Sequence, residues 1–139
     1  MTSCIFCRIV AGAAPARKVF EDDSVLAFLD INPVSVGHTL VIPKPHFVNV
    51  YDLPDELLTS VTSVAKRLAL HYRIALGAQA VNLLHSAGRA ARQDVFHFHL
   101  HVIPRHDDDG LHLGYRPRAG NIEDPDIVLA LIRKGLTPD

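Results

Sequence analysis

Net charge is what the chain lacks first: 14 Lys and Arg stand against 15 Asp and Glu, leaving -1. Such a balance raises no basic field able to hold nucleic acid through its phosphates, so no nucleic-acid partner is expected. Long apolar runs are missing as well. Cys4, Arg8, Arg17 and Lys18 interrupt the first segment, and no stretch approaches the roughly 18 apolar residues of a membrane span or the outline of a signal peptide. A soluble, cytoplasmic protein with no membrane partner is expected. Cysteine is scarce: Cys4 and Cys7 are the only two. They are too close to staple a domain, and a reducing compartment would keep them as thiols, so they need another explanation. A glycine-rich phosphate cradle is absent, which excludes the P-loop and dinucleotide-fold routes to nucleotide binding. Repeats and low-complexity tracts are absent too, and the nine prolines are scattered singly. The 139 residues are read as one domain, 1–139, of a size that buries about two-thirds of its unfolded surface.

What is present reads as alternating short strands around a helix. Lys18 to Phe20 and Val25 to Asp30 flank the turn Glu21-Asp22-Asp23, and His38 to Ile42 follows the turn from Pro33 to Gly37; these are expected as antiparallel strands. Leu57, Val61, Val64, Leu68 and Tyr72 recur at helical spacing, with Asp52 as the expected N-cap and Gly77 as the stop. Ala80 to Leu84 and Val95 to Ile103 return to strand character, and Pro125 to Leu136 predicts a shorter closing helix. Strands gathered around one crossover helix indicate an α+β domain.

The segment Val95-Phe-His-Phe-His-Leu-His-Val-Ile-Pro-Arg105 carries the chemistry. Side chains on a strand alternate faces, so Phe96, Phe98, Leu100 and Val102 are expected on one side and His97, His99 and His101 on the other, with Pro104 limiting the strand. Successive histidines would stand about 6.7 Å apart, a poor way to build a core and a natural way to build a site. Two neighbours could share a zinc ion that activates water. All three on one ion is less economical, because His97 and His101 would lie about 13 Å apart along the strand. A division of labour among the three is the better reading.

This His-Phe-His-Leu-His-Val-Ile run resembles the signature of the histidine-triad family of nucleotide hydrolases and transferases, particularly its bacterial, zinc-bearing branch. The similarity runs from Cys4-Ile-Phe-Cys-Arg-Ile9 through Phe28-Leu-Asp30, Gly37-His-Thr-Leu-Val-Ile-Pro-Lys44 and Gln93 to Arg105. The resemblance implies a histidine-triad fold: a five-stranded antiparallel sheet with one long helix and a shorter C-terminal helix. It makes His99 the nucleophile, with His101 and Gln93 holding the phosphate oxygens. Imidazole is largely unprotonated at neutral pH, so such an attack needs no dedicated base if the other ring nitrogen is hydrogen-bonded. The backbone N–H groups of Asp94 and Val95 would add preorganised dipoles. The resemblance also implies that Asp30 holds the ribose hydroxyls, that Phe6, Ile9, Phe28 and Ile31 form an apolar slot for a purine base, and that His38 stands beside the reacting centre.

On its own Cys4-x-x-Cys7 is half a zinc site. In zinc-bearing relatives His46 and His97 match the positions that complete a Cys₂His₂ set, so a structural zinc is expected, and no organic cofactor. A homodimer is expected because relatives pair across the helix and the sheet edge. Three departures bear on specificity: Ser86-Ala87-Gly88 replaces an Asn-Asn-Gly stretch, Arg92 replaces glycine, and Asp94 replaces Ser or Thr. An added guanidinium favours polyphosphate and an added carboxylate opposes it. His106-Asp-Asp-Asp-Gly110 is read as a solvated loop rather than a second metal cluster. The expected activity is hydrolysis at the α-phosphorus of a nucleoside phosphoramidate, an acyl-adenylate or a dinucleoside polyphosphate. The alternatives are a nucleotide-binding regulatory protein with vestigial activity and a zinc-activated hydrolase.

Overall fold

Residues 25–29 and 39–43 are nearly unbroken apolar runs, and a strand of that kind must be covered on both faces. The computed structural model, which describes residues 3–115 and 123–136, shows how. Along the chain come α1 (Ile5–Val10), β1 (Lys18–Glu21), β2 (Val25–Leu29), β3 (Thr39–Pro43), α2 (Asp55–Ala75), β4 (Ala80–Leu84), a 3₁₀ turn (Arg89–Ala91), β5 (Leu100–Arg105) and α3 (Pro125–Arg133). The five strands form one antiparallel sheet in the order β1-β2-β3-β5-β4. Val25, Ala27 and Val41 join Val61, Val64, Leu68, Tyr72 and Phe98 in a core beneath α2. Their alternate neighbours Leu26, Phe28, Leu40 and Ile42 pack with Phe6 and Ile9 of α1 on the opposite face. Removing a fully buried ring such as Phe98 to alanine should cost about 3–5 kcal/mol.

Helix α1 is not legible in the sequence; it is a six-residue helix whose N-cap Cys4 accepts at Sγ from the Cys7 backbone N–H at 3.4 Å. Asp52 does not cap α2. Its carboxylate instead accepts from the backbone N–H groups of Val48 and Asn49, closing the turn before the helix, while the N-cap position falls to Pro54, which makes no side-chain cap bond. The end of α2 matches expectation, with Gly77 at φ +64 just past it, a conformation glycine adopts at little cost. The expected strand from Val95 starts only at Leu100 and continues through Pro104 to Arg105. Proline is tolerated there because β5 pairs with β3 only over Leu100 to Val102, so on that side no rung is lost at Pro104. Phe96, ahead of the ladder, is 41% exposed rather than part of the apolar face.

Tyr72 and Thr39 tie α2 to β3. The Thr39 hydroxyl donates to the Gly37 carbonyl at 2.7 Å, so Tyr72 donates to Thr39 across 2.6 Å. Gly37 sits at φ +87, and a Cβ there would fall 2.4 Å from Cδ1 of Leu76. β4 is an edge strand, with Val81 and Leu83 exposed beside Leu70 on α2. The chain divides into two compact units, Met1–Asp109 and Gly110–Asp139. Within the second, Asp124 caps α3 by accepting from the Asp126 N–H, with Pro125 in the first turn. The helix ends at Arg133, short of the expected Leu136.

Candidate active site

The approach to β5 leaves the ladder before Leu100, so His97 and His99 are fixed by individual hydrogen bonds, while His101 is held in the ladder opposite Leu40 and Leu84. Phe98 N–H donates to the Phe47 carbonyl at 2.6 Å and seats the segment against residues 46–49. His97 is fully buried, and its Nε2 donates to the Pro43 carbonyl at 2.8 Å. A carbonyl can only accept, so Nδ1 carries the lone pair. Burial, above all, pushes the pKa of His97 down to about 4.

That Nδ1 faces Cys4 Sγ at 3.5 Å, Cys7 Sγ at 3.5 Å and His46 Nδ1 at 3.2 Å, and Cys7 Sγ lies 3.3 Å from His46 Nδ1. The four donor atoms all lie within 4.8 Å of one another. A tetrahedral zinc with Zn–S of about 2.3 Å and Zn–N of about 2.0–2.1 Å sets S···N at about 3.5 Å and N···N at about 3.3 Å. Two soft sulfurs and two imidazoles at these spacings fit zinc, and the His97 to Pro43 bond is the kind of outer contact that orients a ligand.

His99 is buried and turned the other way. Its Nδ1 donates to the backbone carbonyl of His97 at 2.8 Å, leaving the Nε2 lone pair directed at a cavity of about 380 Å³. The Phe6 ring stands edge-on between His97 and His99, 5.9 and 5.3 Å from their centroids. Phe6, Ile9, Phe28 and Leu40 line the apolar part of the cavity, Asp30 and Ile31 its outer side, and Asp94, Val95, His99 and His101 its polar end. Nine of the residues singled out in the sequence therefore meet here: Phe6, Ile9, Phe28, Asp30, Ile31, Asp94, Val95, His99 and His101.

His38 lies behind His101. The Val34 backbone N–H donates to His38 Nδ1 at 3.1 Å, and His38 Nε2 is 2.8 Å from His101 Nδ1 and 3.5 Å from Asp30 Oδ2. Burial pushes the pKa of His38 down, against the pull of Asp30. Burial, with His99 and His38 adding to it, takes His101 down to about 4.

Two expected site residues are placed differently. Gln93 is buried and does not line the cavity: its Oε1 accepts from Gly88 N–H and Asn49 Nδ2, and its Nε2 donates to the Val48 and Val95 carbonyls. The amide is committed to holding two loops together, one of them carrying Asp94. Ser86 is half-buried and also off the cavity wall. One contributor goes unmarked in the sequence. His85 Nδ1 donates to the His99 carbonyl at 3.1 Å, its Nε2 accepts from the Val50 N–H, and its ring lies on Phe98. Nothing in its surroundings along the chain singles it out, since it is an isolated histidine at a strand end. Asp107 and Asp109 bond to Gln79, Arg105 and the His106 N–H, and the loop forms no metal cluster among the described residues.

Comparison with known proteins follows this geometry. The family described as HIT domain matches residues 11–108. A crystal structure of a member of the HIT family of proteins from Bacillus subtilis is 41% identical and superposes with a TM-score of 0.89, covering 99% of this chain and 100% of that one. A Zn-bound histidine triad family protein from Mycobacterium smegmatis is 45% identical with a TM-score of 0.78, covering 84% of each chain. An adenosine 5'-monophosphoramidase of Saccharomyces cerevisiae is 42% identical over 114 residues, 81% of this chain and 70% of its own.

Proposed function

The chain belongs to the HIT domain family, and on that premise we propose that it hydrolyses a purine nucleotide conjugate at the α-phosphorus through a covalent intermediate on His99. The observation that carries this reading is the His99 Nδ1 to His97 carbonyl bond, which holds the ring in one tautomer with its lone pair facing the cavity. The phosphoramidase named among the relatives supports a phosphorus–nitrogen substrate.

In this mechanism Phe6, Ile9 and Phe28 take the base, and Asp30 accepts from the ribose hydroxyls. His99 Nε2 forms a bond to phosphorus as the bond to the leaving group breaks. The leaving atom keeps that electron pair, accepts a hydrogen bond from His101 Nε2–H and takes its proton from solvent. Water then adds to phosphorus, the phosphorus–nitrogen pair returns to His99, and the water's proton passes to solvent, releasing a nucleoside monophosphate. The backbone N–H groups of Asp94 and Val95 are donors for the phosphoryl oxygens, although Val95 N–H already lies 2.8 Å from its neighbour's Oδ1. Gln93 contributes by fixing the loop rather than by touching phosphate.

The Cys4, Cys7, His46 and His97 set would hold zinc in a closed site, joining the N-terminal segment to the segment that presents His99. The metal when bound supplies folding energy there, not an open position for water. The exposed edge of β4 with Leu70 and Leu83, beside a groove of about 500 Å³, supports pairing with a second copy.

Rapid quench during turnover of an adenosine phosphoramidate tests the mechanism. An acid-labile adduct on the peptide containing His99, lost with turnover in His99→Ala, is the expected result. Substantial turnover by His99→Ala, or label on His97 or His101, would move the reaction to a metal-activated water.

A further inference from the structure

Ile5, Asp94 and Val95 line two depressions at once. One is the cavity in front of His99. The other is a more open groove of about 490 Å³, whose wall also includes Cys4, His46 and Phe96. With a nucleoside in the first, the second offers adjoining room for whatever the phosphorus carries on its other side.

The charges along this path are of one sign. Among the described residues lining the two depressions there is no Lys or Arg, and the carboxylates are Asp30 and Asp94. His46, His99 and His101 are the imidazoles there. Arg89 reaches the margin only through Phe96, its guanidinium 5.8 Å from that ring's centroid, and Arg92 lines neither depression. Asp94 is 77% exposed at its side chain, and its Oδ1 lies 3.4 Å from His99 Nε2. Because the N–H of neutral His99 is spent on the His97 carbonyl, the ring offers this carboxylate no proton. Its charge therefore faces whatever approaches the nucleophile. A polyphosphate tail would meet a negative group and no cation; an ammonium would meet its counter-ion.

We propose that Asp94 selects the substrate by the charge of its leaving group, favouring an amine or aminoacyl group that bears an ammonium and disfavouring a polyphosphate. This rests on the nucleotide-conjugate reading above and names the substrate class within it. The selecting charge belongs to the protein and is present before and during reaction, so it acts mainly through KM.

The test uses adenosine 5'-phosphoramidates of one alkylamine length ending in an ammonium, a neutral hydroxyl or a carboxylate, with a diadenosine polyphosphate alongside. The wild-type protein should prefer the ammonium conjugate over the carboxylate by about tenfold or more in kcat/KM at low salt, narrowing as salt rises. Asp94→Asn should bring the ratio close to one, and Asp94→Glu should restore most of it. Turnover of the neutral conjugate reads the proposed activity separately. If it fails, the Kd ratio of the same conjugates, measured by calorimetry on wild type and Asp94→Asn, reads the charge preference without turnover. A wild-type ratio near one, a ratio that Asp94→Asn leaves unchanged, or a preference for the polyphosphate overturns the proposal.

Discussion

His38 Nε2 and His101 Nδ1 stand 2.8 Å apart, and the direction of that bond follows from its far end. The Val34 N–H donates to His38 Nδ1, so in neutral His38 the proton is on Nε2 and is donated to His101. The proton of neutral His101 is thereby confined to Nε2, the nitrogen left for a ligand.

His38 is therefore expected to act through His101. His38→Ala should lower single-turnover kcat by about 10- to 100-fold, the range seen when an orienting contact is lost, while the His99 adduct still forms. His38→Gln, whose amide N–H can donate from a similar position, should recover part of the rate. Equal loss in both variants would reduce His38 to a packing role.

Acid should destabilise the protein through His101. Its folded pKa is lowered from an ordinary 6.5 to about 4, so the unfolded chain binds the proton first. The stability that neutrality preserves is whole above pH 6.5 and is lost as pH falls from there through about 4. At 1.36 kcal/mol per unit the loss is on the order of 3 kcal/mol. Denaturant midpoints measured across this window should fall less steeply for His101→Asn than for wild type.

Purified protein should hold close to one zinc per chain by elemental analysis. Cys4→Ser should lower Tm more than it lowers the activity of the fraction still folded, because a closed site stabilises the fold without joining the chemistry. Metal-free protein of undiminished Tm would remove the zinc reading.

Asp30→Ala should raise KM for nucleoside conjugates by about tenfold with a smaller change in kcat, since ribose hydrogen bonds act alike in ground and transition states. A large kcat loss at unchanged KM would assign Asp30 instead to the His38 and His101 pair, whose Nε2 it approaches at 3.5 Å.

Periodicity makes the sheet and α2 legible because apolar spacing is set by burial, and burial is what a sequence encodes most redundantly. Cys4, Cys7, His46 and His97 are found by resemblance to a ligand set, and their side chains do converge. The same route assigns Gln93 to phosphate, whereas its amide here bonds four polar groups of the two loops it joins; an amide suits either role, and spacing along the chain does not choose between them. The loop from His85 to Phe96 forms no sheet ladder, so its buried backbone groups need side-chain partners, and no period announces which residue supplies them. Alternation alone puts Phe96 in the core; the chain leaves the strand before it, and alternation lapses with the ladder.

Gly37 carries a consequence for genetics. Its absent Cβ leaves room for Leu76, and its carbonyl takes the Thr39 hydroxyl, one residue on either side of His38. A side chain there would press on the end of α2 and on a backbone already at positive φ, and the displacement would reach the imidazole that sets His101. A screen for inactive alleles should thus return position 37 beside the cavity residues, and complementation assays on such alleles would score as catalytic defects what begins as a collision at the foot of a helix.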